Sequence, residues 1–450
     1  MPTRPRSTLL RLHLLGALAL AGCSSDGAVA AVAPVVSIDL AAPATAWFVG
    51  DTVAPVALAR DAHGTRIEGA SLGWTSSNPA VLAPLEGGRF VAVGHGNATV
   101  HVTAGSASAE LAVAVRLTTS DRRFAYALAH DPQAASYAPM RAFAFNATGG
   151  DIRIARQGTG RYVVTFGRMA KVDTTFKEVV LVTAFGSAGE RCHIEGWADD
   201  ANGRDLDAQV ACYDAQSAPL DSRFTILAVG STSLPGRHGF AAVDAQATAA
   251  AALGDKSFSS SGAPVGVDRS ATGSYLVRLR APRQAFPENY FVSTVGDAPD
   301  LCKVASWSFG DWASVVCYDQ SGARADARFS LLMVEGGRPG KRFGFAWAND
   351  LSAPLGQSYS PAAAYQRSSS GQGVHVTHTA LGEYEVEFPG LGSLGSGEIV
   401  QVSPFGSSLS SCQLAGWTLD ALGALRSHVR CWNRASGARE DAQFTVLVVE

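Results

Sequence analysis

The sequence predicts an all-β protein: an immunoglobulin-like β-sandwich followed by three tandem β-sandwich or jelly-roll repeats, each with a disulfide. Three observations predict this fold class. Short apolar segments alternate with polar residues at the period of two that a half-buried strand requires. No segment has a convincing helical period. Glycine, aromatic and cysteine landmarks also recur three times after residue 123. A chain of 450 residues is too long for one ordinary domain.

The composition is that of a folded protein without a nucleic-acid partner. Hydrophobic residues make up 47% of the chain and charged residues 17%, which is enough apolar material to build cores. The formal net charge is −3, and no block of like charges occurs. The sequence contains no His-Glu-x-x-His, phosphate-loop or Cys-x-x-Cys motif. It therefore predicts no catalytic site, no cofactor and no metal.

The N-terminus has the plan of an export signal, predicted over residues 1–22. Arg4, Arg6 and Arg11 precede an apolar stretch at 14–20. The stretch ends in Leu20-Ala21-Gly22-Cys23, which resembles a bacterial lipobox.

The lipobox resemblance implies cleavage before Cys23, acylation of that cysteine and anchoring of the mature chain to a membrane. Ser24, in place of an aspartate, follows the cysteine, and the resemblance then implies an outer-membrane lipoprotein of the cell envelope, periplasmic or surface-exposed. Residues 23–34 lack periodicity and are predicted to form a tether. The alternatives are an ordinary signal peptide with an accidental cysteine, or a short membrane helix.

The first module, predicted over 35–118, has short strands and strong turn signals. Val36, Ile38 and Leu40 alternate with polar residues. Five motifs in a fixed order resemble the group 2 bacterial immunoglobulin-like (BIG2) domain: Val49-Gly50-Asp51-Thr52, Asp61-Ala62-His63-Gly64, Trp74-Thr75-Ser76-Ser77-Asn78-Pro79, Phe90-Val91-Ala92 and Gly96-Asn97-Ala98-Thr99-Val100.

The BIG2 resemblance implies a seven-stranded sandwich with Trp74 between its sheets, used as a spacer or adhesive unit without catalytic residues. Pro55 departs from the expected core strand and places that strand at an edge or bulge. Trp47 and Phe48 are predicted to form a buried or rim pair, with an exposed contact patch as the alternative.

The remainder repeats at about 110 residues, and we define copy 1 as 124–230, copy 2 as 239–335 and copy 3 as 342–450. Each copy has about eight predicted strands and enough residues for its own core. We therefore expect independent beads. The shared landmarks are a glycine before a tyrosine-led strand (Gly160, Gly273, Gly382), a strand-ending glycine (Gly186, Gly296, Gly406), a tryptophan five residues after the first cysteine (Trp197, Trp307, Trp417), and an aspartate before the last strand (Asp221, Asp326, Asp441).

Six cysteines, two in each copy, remain after Cys23. An even number in matched pairs in an exported chain favours disulfides. The predicted pairs are Cys192–Cys212, Cys302–Cys317 and Cys412–Cys431. Zinc is the alternative, but His193 has no histidine counterpart in the other copies.

Four further groups of residues are candidate sites. The tryptophans are predicted to cover the disulfides or lie in the cores, with sugar stacking as the alternative. His375 and His378 are predicted to be surface residues on opposite faces of a strand, which disfavours a shared zinc ion. The acidic stretch 199–207 is predicted to be a solvated turn, with calcium as the alternative. The shared aspartates are predicted to stabilise the turns that precede them.

These features predict a lipid-anchored cell-surface binding, adhesion or structural protein that is not an enzyme. The predicted partners are the membrane, through the anchor, and a glycan or protein ligand, with no nucleic acid. One alternative is an extracellular polysaccharide-acting hydrolase, or a carbohydrate-binding accessory, with an unrecognised site in one copy. A purely mechanical stalk is another.

Overall fold

The computed structural model describes residues 34–41, 47–48, 51–93, 96–116, 123–170, 177–231, 233–234, 237–243, 251–252, 256–279, 287–336, 341–392 and 397–450. The predicted export signal and Cys23 lie outside these residues. The chain divides into two compact units, 1–115 and 116–450. The described segments are β-strands and three single 3-10 turns: Glu86–Gly88, Arg141–Phe143 and Ala363–Tyr365. None of their helical segments is long and apolar enough to span a bilayer.

The first unit contains nine described strands in three sheets around one core. The strands are β1 (Ser37–Ala41), β2 (Trp47–Phe48), β3 (Thr52–Val53), β4 (Val56–Arg60), β5 (Gly73–Ser76), β6 (Leu82–Pro84), β7 (Phe90–Ala92), β8 (Gly96–Ala104) and β9 (Ala107–Arg116). The sheet orders are β1-β4, β2-β9-β8-β5 and β3-β7-β6. Leu82, Phe90 and Val100 lie in the common core.

Three residues singled out in this unit have clear positions. Trp74 is half-buried and meets Phe90 edge to face, with ring centroids 6.1 Å apart. Trp47 is buried in the core. Pro55 lies between β3 and β4, which belong to different sheets and are both edge strands. The proline, which lacks a backbone donor, therefore sits where the chain changes sheets.

Each of the three copies has nine strands within its described residues. Copy 1 has β10 (Phe124–Ala129), β11 (Ser136–Tyr137), β12 (Ala144–Asn146), β13 (Ile152–Gly158), β14 (Arg161–Phe166), β15 (Glu178–Phe185), β16 (Arg191–Asp199), β17 (Leu206–Tyr213) and β18 (Arg223–Gly230). Copy 2 has β19 (His238–Val243), β20 (Ala251–Ala252), β21 (Ser257–Ser259), β22 (Gly266–Ala271), β23 (Ser274–Arg278), β24 (Asn289–Val295), β25 (Leu301–Ser308), β26 (Trp312–Tyr318) and β27 (Arg328–Val334). Copy 3 has β28 (Phe343–Ala348), β29 (Ser358–Tyr359), β30 (Gln366–Ser368), β31 (His375–Ala380), β32 (Glu383–Phe388), β33 (Ile399–Pro404), β34 (Ser410–Leu419), β35 (Leu425–Asn433) and β36 (Phe444–Val449).

Each copy is a sandwich of two sheets. In copy 1 the first sheet has the order β12-β10-β18-β15 and the second β11-β13-β14-β17-β16. Copies 2 and 3 repeat both orders with the corresponding strands. The facing sides of the two sheets enclose a separate core in each copy. The all-β sandwich prediction for the repeats is therefore confirmed.

The expectation of independent beads is wrong, because the three copies form one compact unit. The outer faces of the three first sheets contribute to one further core shared by all copies. Phe124 of copy 1, Phe240 of copy 2 and Phe343 of copy 3 all lie in it. The strands of the first sheets are consequently buried on both faces, as in β10, where all six residues are buried.

The joints between copies repeat in one cyclic order, so the three copies close on each other. The edge strand of each first sheet (β15, β24 or β33), or the residue just after it, meets the edge of another copy's second sheet through a parallel bridge: Phe185 with Leu414, Val295 with Ile194, and Phe405 with Val304. At each joint the strand-ending glycine donates its N–H to the neighbouring copy: Gly186 to Leu414 O at 2.9 Å, Gly296 to Ile194 O at 2.8 Å and Gly406 to Val304 O at 2.8 Å.

The residue before each joint glycine packs into the core of the neighbouring copy. Phe185 of copy 1 packs against the copy 3 core, Val295 against the copy 1 core, and Phe405 lies in the copy 2 core. Each sandwich is therefore completed by an apolar side chain that its own sequence does not supply.

Buried hydroxyl groups near the joints also bond between copies. Thr183 Oγ1 donates to Val402 O at 3.1 Å, and the corresponding Ser293 and Ser403 bond to the next copy in the same way. A second set lies on the last strands: Thr225 Oγ1 donates to Val400 O, Ser330 Oγ to Val180 O and Thr445 Oγ1 to Tyr290 O, at 2.8, 2.7 and 3.0 Å. These donors satisfy buried carbonyl groups that would otherwise be costly.

Candidate functional site

The structure contains the three disulfides in the predicted pairing, Cys192–Cys212, Cys302–Cys317 and Cys412–Cys431. Each disulfide joins the edge strand of a second sheet to the antiparallel strand beside it: β16 to β17, β25 to β26 and β34 to β35. The two cysteines of each pair face each other in register. The disulfide thus holds in place the edge strand that contacts the neighbouring copy.

We expect the Cys302→Ala/Cys317→Ala variant to lose about 3 kcal/mol of unfolding free energy, because closing a loop of this length restricts the unfolded chain by that amount. Urea unfolding of the variant beside the unmodified protein measures the loss. Thiol quantitation of the unmodified protein in denaturant without reductant should find none of these six cysteines free. Free thiols from this set would contradict the pairing.

Each repeated tryptophan packs against the core of its own copy, in agreement with the predicted core position, and Trp417 and Trp307 also contact a neighbouring copy. Trp417 packs edge to face on Phe185 of copy 1, with centroids 5.7 Å apart, and Trp307 on Phe405 of copy 3 at 5.2 Å. Trp197 packs against the copy 1 core, as does Val295 of copy 2. All three indoles are half-buried. Their packing gives them a structural role, and nothing in it favours sugar stacking.

Each shared aspartate accepts hydrogen bonds at the hairpin before the tyrosine-led strand, which we call the aspartate corner of the copy. The prediction was that it would stabilise the turn just before the aspartate. Asp326 accepts hydrogen bonds from the Gly273 N–H at 2.8 Å, the Tyr275 hydroxyl at 3.0 Å and the Arg269 guanidinium. The glycine belongs to the β22–β23 hairpin, far from the aspartate in sequence. Hydrogen bonding from Arg269 is the largest cause that lowers the pKa of Asp326 to about 2. Asp221 makes the same three contacts in copy 1.

The glycine at this corner is required by its surroundings. Gly273 has a φ of +61°, and a Cβ there would lie 2.5 Å from the carbonyl oxygen of Cys317. Its own carbonyl accepts the Cys317 N–H at 2.9 Å. The glycine, cysteine, tyrosine and aspartate landmarks therefore form one hydrogen-bonded cluster that holds the strands together.

His378 is buried, which corrects the prediction of two surface histidines, whereas His375 is exposed. The His378 Nε2 lies 2.8 Å from Asp441, and its ring stacks on Tyr384. His378 therefore takes the place of the arginine in the corresponding corner of copies 1 and 2.

The acidic stretch 199–207 forms a turn held by its own side chains. Asp200 accepts the backbone N–H groups of Arg204 and Asp205 at 2.7 and 2.9 Å. Asp207 accepts the Thr165 hydroxyl. Within the described part of the chain no three His, Cys, Asp or Glu side chains are grouped as metal ligands.

A second set of polar residues is shared by the three copies and was not predicted from the sequence. Glu178, Glu288 and Glu398 begin or immediately precede β15, β24 and β33, and are almost fully buried. Arg123, Arg237 and Arg342 immediately precede the first strand of each copy. Arg237 lies 3.2 Å from Glu288 and also pairs with Glu335. In copy 3 Arg342 lies 3.5 Å from Glu398 and 3.2 Å from Glu450.

The residue after the first cysteine is buried and polar in all three copies: His193, Lys303 and Gln413. Lys303 Nζ donates to Ser408 O at 3.2 Å, and to Ser410 O and Oγ at 2.9 Å each, across the joint to copy 3. His193 lines a small cavity of about 60 Å³ between copies. Burial lowers the pKa of His193 to about 4, so its ring is neutral.

We expect the unfolding free energy to rise with pH above about pH 7 through Lys303. Burial lowers the pKa of Lys303 to about 7. The unfolded chain keeps this lysine protonated up to its ordinary pKa, and stability increases wherever the unfolded state binds more protons. Urea unfolding between pH 6.5 and 9.5 measures the rise, which should disappear in Lys303→Met and persist in Lys256→Met, a change at an exposed lysine of the same copy. An unchanged pH profile in Lys303→Met would contradict the assignment.

An open groove enters copy 1 between the edges of its two sheets, with a volume of about 520 Å³. Pro139, Ala144 and Ile152 give it an apolar floor, while the exposed Arg141, Asp151 and Arg153 line its rim. Among the described residues neither arginine has an ion-pair partner.

The rim therefore offers two free guanidinium groups and one carboxylate. A pair of carboxylates across a cleft, as glycoside hydrolysis requires, is not found among the described lining residues. Sequence reasoning missed the groove because it lies where copy 1 differs from copy 3. The shared landmarks direct attention elsewhere.

Comparison with known proteins adds little to this description. No protein-family model matches the chain, and no curated protein matches it. Among solved structures, domains 4 and 5 of the S-layer protein SbsC match at 15% identity over 43% of this chain and 92% of that chain, with a TM-score of 0.19. Invasin, a bacterial integrin-binding protein, matches at 10% identity over 78% of this chain and 75% of that chain, with a TM-score of 0.18. At such TM-scores no argument rests on either likeness, and the all-β class stands on the strands described above.

Proposed function

We propose that the chain is a lipid-anchored, non-catalytic binding protein of the bacterial cell envelope that meets a glycan or protein ligand. The N-terminal charge pattern and the resemblance around Cys23 to a lipobox support the anchor. Three disulfides support an oxidising compartment, since such bonds rarely persist in the cytosol. In this proposal the first unit is a BIG2 spacer between the anchor and the three-copy body.

One observation carries the non-catalytic part of the proposal. In copy 2, Asp326, Arg237 and Glu288 are each paired or hydrogen-bonded within their own copy, and their counterparts in the other copies occupy the same positions. Lys303 bonds across a joint. The shared polar groups thus stabilise the three-copy body. The ligand is therefore expected to bind at a surface where one copy differs from the others.

A glycan array and a pull-down from cell envelopes, both with the chain from residue 35 onward, test the binding role. We expect retained ligand and no release of new reducing ends from polysaccharide substrates. Cleavage products would contradict the proposal and favour the hydrolase alternative. Retention of nothing in either assay would favour a mechanical stalk.

Lipidation is tested separately with the full chain expressed in a two-membrane bacterium. We expect incorporation of labelled palmitate and partition into the membrane fraction, both lost in Cys23→Ala. An unmodified N-terminus at Cys23 in a mass spectrum would remove the anchor from the proposal.

A further inference from the structure

The groove of copy 1 is open at a position that a longer side chain fills in copy 3. In copy 3 the corresponding position is Gln366, whose side chain crosses the gap between the two sheets. Its Nε2 donates to Ser360 Oγ at 2.8 Å and to Pro361 O, and its Oε1 accepts the Val374 N–H. In copy 1 the equivalent residue is Ala144, which cannot reach across, and the gap stays open.

The charged rim of copy 1 is also missing from copy 3. The equivalences follow from the strand registers, in which Asn146 faces Ala125 as Ser368 faces Gly344, and Arg153 faces Thr165 as His375 faces Glu387. Copy 3 accordingly has Ala363 in place of Arg141, His375 in place of Arg153 and Gly373 in place of Asp151. The opening of the gap and the charges around it therefore occur together in one copy and are both missing from the other.

We propose that this groove binds a carboxylate-bearing glycan, a step that rests on the proposed binding function. The floor of Pro139, Ala144 and Ile152 suits the apolar face of a sugar ring. Arg141 and Arg153 supply planar guanidinium groups, which bind carboxylates through paired hydrogen bonds. Asp151 accepts hydroxyl donors. With two guanidinium groups and one carboxylate, the rim has a net positive charge, which is complementary to that of an acidic polymer.

An extended acidic peptide fits this site less well. A peptide captured by strand addition needs a long unpaired strand edge. The two edges at the groove are β11, with two residues, and β12, with three. Edges this short offer little backbone pairing, and they are the kind that natural proteins use to prevent strand addition.

Calorimetric titration of the chain from residue 35 onward with trigalacturonate tests the proposal. The matched probes are the methyl ester of trigalacturonate, which keeps the rings but lacks the charges, and a triglutamate peptide, which keeps charges but lacks the rings. We expect binding of trigalacturonate that weakens with added salt. Both matched probes should bind at least tenfold more weakly.

Two variants at the groove and two controls locate the binding. Ala144→Gln closes the gap as copy 3 does, and Arg141→Gln/Arg153→Gln removes the rim charges without touching the floor. Each should weaken trigalacturonate binding at least tenfold. Arg367→Gln removes an exposed arginine from the matching edge of copy 3, and Gln366→Ala opens the copy 3 gap. Neither control should weaken it. Thermal unfolding of each variant establishes that it is folded.

The outcomes separate this proposal from the broader function. Trigalacturonate binding that survives both groove variants would overturn the groove as the site while leaving a binding protein. Equal affinity for triglutamate would overturn the glycan class. Absence of trigalacturonate binding beside a positive glycan array would overturn the acidic-ligand assignment alone. If the array and the pull-down are also empty, both proposals fail.

Discussion

A fragment that holds only copy 2 and the two residues before it, residues 237–335, is expected to lose its native fold. Removing the other copies exposes the outer face of its first sheet, where Phe240, Phe291 and Leu332 now lie in the shared core. It also removes Phe405, which belongs to copy 3 but fills the copy 2 core. Near-ultraviolet circular dichroism and binding of a hydrophobic dye measure the loss. Residues 116–450 should instead unfold in one cooperative transition.

The first unit supplies the matched control, because residues 35–115 have a core of their own. That fragment should unfold cooperatively by itself. If isolated copy 2 also unfolded cooperatively, with a near-ultraviolet spectrum like its share of the whole body, the copies would be autonomous and the shared core would be unimportant for folding.

Arg237→Met is expected to lower the unfolding free energy of the three-copy body by about 3 to 5 kcal/mol, the usual cost of leaving a buried charge without its partner. Glu288 is fully buried, and burial already raises its pKa. Its remaining hydrogen bonds, from the Gly310 N–H at 2.8 Å and the Tyr290 hydroxyl at 3.3 Å, do not replace a cation. Urea unfolding at neutral pH measures the change.

Two further variants define the cause of that loss. Arg237→Met combined with Glu288→Gln and Glu335→Gln should recover most of the stability, because the uncompensated carboxylates are then gone. Arg278→Met breaks a more exposed pair with Asp268 in the same copy and should cost no more than about 1 kcal/mol. A loss in Arg237→Met no larger than in Arg278→Met would contradict the role given to the buried pair.

Local chemistry predicted the disulfides and the position of the strand landmarks. To predict the disulfide pairing, it was enough to recognise the repeat and the export signal. The partners of the landmarks were not predictable, because they are far apart in sequence. Asp326 bonds to the backbone of Gly273, and Trp307 packs on Phe405 of another copy. A residue that recurs in all three copies gives the same sequence pattern whether it stabilises one sandwich or the joint between two. The sequence therefore does not distinguish the two roles.

A sequence signal for the shared core was present in the last strand of each copy. Phe224–Val229, Phe329–Val334 and Phe444–Val449 are apolar with a single hydroxyl residue rather than alternating. A continuous apolar strand is typical of burial on both faces. The Arg–Glu set could not be predicted for another reason: in copy 2 a second basic residue, His238, stands beside Arg237, and only the strand register shows that Arg237 is the counterpart of Arg123 and Arg342.

The sequence by itself determined the strand content, the three repeats and their cross-links, because alternation, turn residues and cysteine spacing act within a few residues of each other. Only the tertiary structure decided that the repeats close into one body with a common core and that copy 1 has an open, charged groove where Gln366 fills the gap in copy 3. The physical reason is that a strand's second buried face needs apolar surface from another copy. Whether a gap stays open likewise depends on which side chain, Ala144 or Gln366, stands opposite the neighbouring sheet.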